Sequence, residues 1–282
     1  MDWISGLNQT IEYIESHLTG EISYEQLARL ACCSSYHYQR MFAYMTGITL
    51  GEYIRRRKMS LAAVDLQAGE KVVDTALKYG YQSPTAFSRA FQSVHGTAPS
   101  AVRNPDTPVK AYPPLRFTIT IKGVAEMEYR IEKRESFRIV GLSVPLDEDM
   151  EKNFKTVPAL WEKATADGTL QKLVSMIDSQ PDGILGVSFN SDQDGLFYCI
   201  AAPSTQTDPA LNEYTVPAAT WAIFPGSGAG QSIQELEQRI VAEWLPSSGY
   251  VYGNGPDIEV YLNADPQNMK YEVWIPVVKK AE

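Results

Sequence analysis

Ser34-Ser35-Tyr36-His37-Tyr38-Gln39-Arg40-Met41-Phe42-Ala43-Tyr44-Met45, followed by Thr46-Gly47, decides how the front of this chain is read, because it occurs twice. The second copy is Ser83-Pro84-Thr85-Ala86-Phe87-Ser88-Arg89-Ala90-Phe91-Gln92-Ser93-Val94, followed by His95-Gly96. At an offset of 49 residues Ser meets Ser, Arg meets Arg, Phe meets Phe and Gly meets Gly. A repeat of this length is one supersecondary unit used twice.

Each copy carries its own helix ends. Ser34 and Ser83 can accept a bond from an orphan amide of the first turn. Pro84 suits the first helical position, where no N–H is needed. Gly47 and Gly96 fall where a left-handed residue stops a helix. Tyr38, Met41, Phe42 and Met45 recur at helical spacing, as do Phe87, Ala90, Phe91 and Val94, so these faces point to a core. The opposite faces carry Tyr36, Gln39 and Arg40 in the first copy and Thr85, Ala86 and Arg89 in the second. A shorter helix precedes each, Tyr24 to Ala31 turning through Cys32-Cys33, and Val72 to Tyr79 turning at Gly80. Helix, turn and capped helix form the helix-turn-helix pattern, whose second helix enters the major groove. There Arg can fork to guanine and Gln can pair with adenine. A plain helical bundle with solvated arginines shows the same spacing, so spacing leaves both readings open.

Charge separates the two ends of the chain. The net charge is −9 over 282 residues. Residues 1–108 hold ten Lys+Arg and ten Asp+Glu, so residues 109–282 carry the whole negative excess. A neutral DNA-binding part must concentrate its positives, and Arg55-Arg56-Arg57-Lys58 begins to do so, unless it is one solvated helix face. Few phosphate contacts imply modest affinity with a clear salt dependence. The acidic remainder disfavours nonspecific DNA contact and points to cationic ligands.

Three cysteines, Cys32, Cys33 and Cys199, are too few and wrongly spaced for a zinc site or a disulfide framework. His17, His37 and His95 have no partners in metal spacing, so no metal or cofactor is expected. No apolar run is long enough to span a bilayer, and the N-terminus lacks a basic n-region and cleavage site, so a cytoplasmic protein is expected.

Along the chain, Trp3 to His17 reads as an amphipathic helix. Thr49 to Gln67 reads as a connecting helix with Leu50, Tyr53, Ile54, Leu61, Val64 and Leu66 mostly inward. Four prolines in residues 103–116 break helical structure. The expected division is residues 1–105 for the helical part, 106–116 for a linker and 117–282 for a second domain. In that domain Phe117 to Ile121, Tyr129 to Glu132 and Phe137 to Val144 read as strands. A helix from Val157 to Ala166 follows, then strands Ile184 to Phe189 and Leu196 to Ala202 around the turn Asn190 to Gly195. The order recurs as strand Thr220 to Phe224, helix Ser232 to Trp244, and strands Ile258 to Leu262 and Tyr271 to Val277. Ser232 and Glu235 form a capping box on paper. The fold class is therefore two domains, an all-α part with tandem helix-turn-helix and an α+β part with a duplicated β-α-β-β unit. Pro225-Gly226-Ser227-Gly228-Ala229-Gly230 lacks the ending of a phosphate loop and reads as a flexible loop beside a pocket.

Two resemblances sharpen this reading. Tyr36 to Phe42, Tyr53-Ile54-Arg55-Arg56-Arg57-Lys58-Met59, Gly80 to Phe91 and Gly96-Thr97-Ala98-Pro99 resemble the AraC/XylS family, especially its short MarA-, SoxS- and Rob-like members. That resemblance implies two recognition helices in successive major-groove segments, with Tyr36, Gln39 and Arg40 on one and Thr85, Ala86 and Arg89 on the other. Pro84 and Ala86 replace polar residues of some relatives, which weakens reading of the second half-site. Residues 117–282 resemble the GyrI-like effector domain through Phe137 to Leu142, Val157 to Trp161, Val216 to Phe224, Trp244 to Tyr250 and Tyr271 to Val277. The implied protein is a regulator, an activator by analogy, of the multidrug-response kind. Its partners would be promoter DNA, an amphipathic or cationic effector and RNA polymerase, with no membrane.

Glu272 alternates with Trp274 on one strand face. A buried unpaired carboxylate is costly unless donors or a cation meet it. A solvated strand face would explain the same Glu. The GyrI-like resemblance implies instead a Glu here at the base of an aromatic cleft, with Trp161, Tyr198, Trp221, Trp244, Tyr250 and Trp274 as walls. Aromatic faces with a carboxylate nearby hold cations well, and core packing would use the same aromatic residues. Two further functions share these residues. Glu272 could serve as the base of a hydrolase of electrophiles, or the second domain could bind protein and sequester the regulator.

Overall fold

The structure is a computed structural model that describes residues 3–104, 106–118, 126–147, 150–191, 195–229, 231–263, 265 and 268–280. Its front holds six helices, α1 (Trp3–Ser16), α2 (Tyr24–Leu30), α3 (Ser35–Thr46), α4 (Leu50–Gln67), α5 (Val72–Lys78) and α6 (Pro84–His95). The expected caps form. Ser34 accepts from the His37 amide and Ser83 from the Ala86 amide, while Gly47 (φ +71°) and Gly96 (φ +76°) end α3 and α6 in the left-handed region. The turns differ by one residue. Residues 31–34 join α2 to α3, whereas 79–83 join α5 to α6, so the first helices of the repeat are offset by 48 and the second by 49.

The chain divides into two compact units, Met1–Ala31 with Ile48–Ile121, and Cys32–Gly47 with Lys122–Glu282. In the first, Met59, Ala62, Leu66, Ala76, Phe87, Phe91 and Val102 form one buried cluster. Val64, expected inward, is 60% exposed, because the inner stripe of α4 runs through Met59, Ala62, Ala63 and Leu66. The proline-rich segment is strapped along this unit. Its amides of Lys110, Tyr112, Leu115 and Phe117 donate to His95, Ser60, Tyr53 and Asn8 at 2.9–3.1 Å. The strand expected from Phe117 to Ile121 is not formed at Phe117 and Thr118, and 119–121 lie outside the described residues.

The second unit combines α3 with β1 (Arg130–Arg134), β2 (Phe137–Pro145), α7 (Met150–Ala166), α8 (Thr169–Met176), β3 (Ile184–Ser191), β4 (Gly195–Pro203), β5 (Asn212–Val216) and β6 (Ala219–Gly228). Then come α9 (Gln231–Arg239), continued by a π-helical turn Ile240–Trp244, β7 (Tyr250–Tyr252), β8 (Asp257–Tyr261) and β9 (Met269–Lys279). The sheet order is β1-β6-β9-β8-β3-β4-β2-β5. Its centre is a palindrome of the duplicated unit, β6-β9-β8 facing β3-β4-β2. The α8, β5 and β7 elements have no counterpart in the sequence reading.

The order places β1 and β2 far apart, yet only two residues join them, and only two join β5 to β6. Stepping three residues along each strand from the pair Arg134↔Ala219 lands on Phe137↔Val216, which is the observed pair. The two end ladders are therefore one bent ladder, and the sheet closes on itself. Its inner face holds a cluster that includes Ile139, Val187, Cys199, Val216, Trp221, Ile223, Ile258, Val260 and Trp274. Its outer face carries Val140, Ile184, Tyr198 and Ile200 against Leu160 and Ala164 of α7 and Leu173 and Met176 of α8.

Two local expectations change. Ser232 lies within α9, donates to the Ala229 carbonyl and accepts from the Tyr271 hydroxyl, so the Ser232/Glu235 capping box is not formed. The expected loop from Pro225 is instead strand β6, paired with β9 as far as Gly228↔Met269, and Gly230 lies outside the described residues. Its glycines serve packing, since a Cβ on Gly226 would stand 2.3 Å from the Tyr271 ring. The turn expected at Asn190 to Gly195 falls between β3 and β4, with 192–194 outside the described residues.

Candidate functional site

Each half of the duplicated unit covers its own strands. Helices α7 and α8 pack on β2 and β4, and α9 packs on β6 and β9. Between these covers the two central strands β3 and β8 are left as the floor of a groove. Directly paired residues share a face, so Ser188↔Asp257, Gly186↔Glu259 and Ile184↔Tyr261 all point outward from the closed sheet. A cavity of about 810 Å³ stands over this floor. That is within the range of small-molecule sites. Phe154, Val157, Pro158, Trp161, Leu170 and Val174 supply an apolar wall from α7 and α8.

The carboxylate on the floor is Glu259. Tyr261 donates to its Oε2 at 2.7 Å, and Tyr198 donates to the same oxygen at 3.5 Å. Trp161 Nε1 donates to the Tyr198 hydroxyl at 3.0 Å, and its ring meets Tyr261 edge-on at 5.0 Å. Gly186 makes this convergence possible. A Cβ there would lie 2.3 Å from the Tyr198 hydroxyl and 2.9 Å from Glu259 Oε2.

Helix α3 closes one side of the cavity, packing against α9 and contributing Tyr36, Arg40 and Tyr44 to the lining. Tyr36 donates to Ser188 at 3.1 Å, and His37 Nε2 stands 2.8 Å from Asp257 Oδ2. Arg40 is 9% exposed. Its Nη2 donates to Glu237 and, at 3.1 Å, to Glu259 Oε1, and its Nη1 reaches Asp257 at 3.4 Å. Its Nε donates to the Tyr44 hydroxyl at 2.9 Å. Burial works against the Arg40 charge, but Glu237 and the surrounding hydroxyl and carboxyl groups outweigh it, so the guanidinium is held protonated. Burial pushes the Glu237 carboxyl above its ordinary range, and Arg40 only partly offsets that. Burial also pushes Asp257 upward, but His37 and Arg40 pull it down further, to a net value below the ordinary one.

Of the seven residues proposed from sequence for the ligand site, the cavity is lined by Trp161 and Tyr198. The other five are placed elsewhere by the closure of the sheet. Val260 pairs with Glu272, so Glu272 faces the opposite way from Glu259, with Trp274 and Ile258. Trp221 and Trp274 are fully buried inside the closed sheet, rings 6.0 Å apart. Trp244 stacks on Tyr250 and meets Phe224 and Tyr129. Glu272 receives Arg130 on both oxygens, at 2.7 and 3.0 Å, and Trp274 Nε1 at 2.8 Å. Burial raises its carboxyl, but Arg130 and Trp274 bring the net value below the ordinary one. A carboxylate so occupied is a poor general base. The signal for Glu259 was present in Asp257-Ile258-Glu259-Val260-Tyr261, where both acids and the tyrosine fall on one strand face.

The residues proposed for DNA contact divide by helix. Thr85, Ala86 and Arg89 are exposed on α6. Tyr36, Gln39 and Arg40 are buried on α3.

Among the described residues no helix is long and apolar enough to cross a membrane. Comparison with known proteins bears on both parts of the chain. A family profile described as a GyrI-like small molecule binding domain matches residues 127–278, and a helix-turn-helix domain profile matches residues 27–105. The right origin-binding protein of Escherichia coli K12 is 25% identical over 98% of this chain and 99% of its own length. The transcriptional regulator Rob of Salmonella typhimurium is 24% identical over the same shares. The HTH-type transcriptional activator AarP of Providencia stuartii is 37% identical over 36% of this chain and 76% of its own. With more than half its length matched and an AraC-type helix-turn-helix ahead of that match, the chain belongs to the GyrI-like family, as a DNA-binding transcription regulator with a small-molecule-binding domain.

Proposed function

We propose that the cavity over β3 and β8 takes a lipophilic cation, and that its occupancy controls binding of promoter DNA by residues 1–105. The observation that carries the ligand class is Glu259, a carboxylate on the floor of an apolar and aromatic cavity, ringed by Tyr198, Tyr261 and Trp161. Neighbouring Glu237 adds a second, buried carboxyl group to the lining. Two carboxyl groups to one guanidinium in the lining, beside aromatic faces, favour a cation over an anion or a neutral polar ligand. On the DNA side, Arg89 is exposed on a capped helix, and an exposed guanidinium can fork to guanine. The names of Rob and AarP support promoter regulation, with activation through RNA polymerase as the working sense.

Two carboxylates on neighbouring strands make the test. Tetraphenylphosphonium is titrated into the full chain, and tryptophan fluorescence is followed. Glu259→Gln is expected to weaken binding by at least about tenfold, while Glu272→Gln changes it by less than about twofold. The reverse order would move the site to the inner face and end this reading.

A further inference from the structure

We propose that Arg40 is a built-in competitor for the cation site, so that ligand entry and withdrawal of α3 are a single exchange. This rests on the reading of the cavity just given and assigns it a means of regulation. Both oxygens of Glu259 are engaged, Oε1 by Arg40 and Oε2 by Tyr261 and Tyr198. A cation brought against Glu259 therefore competes with these donors for the charge of the carboxylate. Arg40 is the one lysine or arginine among the described residues lining the cavity. It is also the partner that like charge would expel, since two cations sharing one carboxylate repel each other.

What Arg40 leaves behind matters as much. A guanidinium presents a planar fork that suits a carboxylate and the O6/N7 edge of guanine equally well. Arg40 lies on the second helix of the matched helix-turn-helix segment. Held by Glu237, Asp257 and Glu259, its fork is not available to a base; released, it is. Coupling of this kind is reciprocal, so whatever draws Arg40 out of the carboxylates also raises the affinity for the cation. The lining residues Tyr36 and Tyr44 move with it, because α3 supplies all three side chains.

The experiment uses the full chain and tetraphenylphosphonium, a cation that cannot lose its charge, with neutral triphenylphosphine oxide as control. Arg40→Gln is expected to bind tetraphenylphosphonium at least about tenfold more tightly than wild type, and Glu259→Gln to bind it more weakly. Unchanged or weaker binding by Arg40→Gln, with Glu259→Gln still impaired, overturns the competition and leaves the cavity reading standing. Binding by none of the three proteins overturns both. Hydrogen exchange on wild type tests the same exchange independently of how the variants fold. Tetraphenylphosphonium is expected to speed amide exchange in residues 35–46, and the neutral oxide to leave it unchanged. Slower or unaltered exchange with the cation, or equal acceleration by the oxide, overturns the proposal.

Discussion

Helices α3 and α6 come from one repeat, with the same serine cap, the same left-handed glycine stop and an arginine at the same place. Their environments are opposite. Arg40 is buried among Glu237, Asp257 and Glu259, whereas Arg89 is exposed. The shared features fix the backbone and the inner stripe, Tyr38 and Phe42 in one, Phe87 and Phe91 in the other. The outer faces decide the rest. That of α3 carries Tyr36, His37, Arg40 and Tyr44, side chains large enough to be buried and rich in donors for an acidic floor. That of α6 carries Thr85, Ala86 and Arg89, with little apolar area to bury and nothing to gain from leaving water. One motif thus yields one helix with a partner in its own unit and one left facing solvent.

The sharpest way to break this comparison is to remove each arginine. Arg40→Ala removes the guanidinium from two buried carboxyl groups, Glu237 and Asp257, and from the half-buried Glu259, and should cost about 3–5 kcal/mol in denaturant unfolding. Arg89→Ala should lie within about 0.5 kcal/mol of wild type. The same Arg89→Ala should weaken specific duplex binding by about 1–3 kcal/mol, measured on a selected duplex over a salt series. Equal stability losses for the two variants would mean that Arg40 is not held as described.

The last residue of each helix gives a second contrast. His95 stands where α3 has Thr46. Its Nδ1 accepts from the Lys110 amide at 3.1 Å, so Nε2 carries the proton given to the Met59 carbonyl at 3.0 Å. The neutral ring satisfies both bonds, and protonation of Nδ1 breaks one. Burial holds the His95 pKa below the ordinary histidine value, with the Met59 bond opposing only in part. A base with a depressed folded pKa contributes stability that is complete above the unfolded value, about 6.5, and is lost as pH falls below it. Thermal melts at pH 7.5 and pH 5 should show that loss. His95→Ala should cost about 2 kcal/mol at neutral pH and remove this part of the pH dependence.

Much of this was legible from local spacing. The repeat offset, the serine caps and the glycine stops are short-range signals, and they located α3 and α6 to within a residue. The β-α-β-β recurrence was legible for the same reason. The ligand site was not. Asp257-Ile258-Glu259-Val260-Tyr261 and Tyr271-Glu272-Val273-Trp274-Ile275 both alternate acid and aromatic on one face. Nothing local says which face looks outward. That depends on the bent ladder joining β1 and β2 to β6 and β5, a pairing between residues some eighty positions apart. Once the sheet closes, the largest rings, Trp221 and Trp274, are claimed by its interior, and the smaller Tyr198 and Tyr261 are left to the cavity. The burial of Arg40 was illegible on the same grounds, since its three acids lie about two hundred residues away.

The smallest expected difference concerns the caps, where the two copies look most alike. The Ser83 hydroxyl accepts the Ala86 amide at 3.4 Å, a long bond at an exposed position. Ser34 accepts the His37 amide at 3.2 Å and also meets His37 Nδ1 at 2.8 Å, and His37 in turn meets Asp257. Removing a serine cap costs about 1 kcal/mol on average. The Ser34→Ala loss should sit at or above that figure, because the second bond orients a buried ring. The Ser83→Ala loss should sit nearer about 0.5 kcal/mol, the value of a weak exposed hydrogen bond. Denaturant midpoints at matched slope resolve such a gap. Equal losses would show that the His37 contact adds nothing, and that the two copies differ only in what faces Arg40 and Arg89.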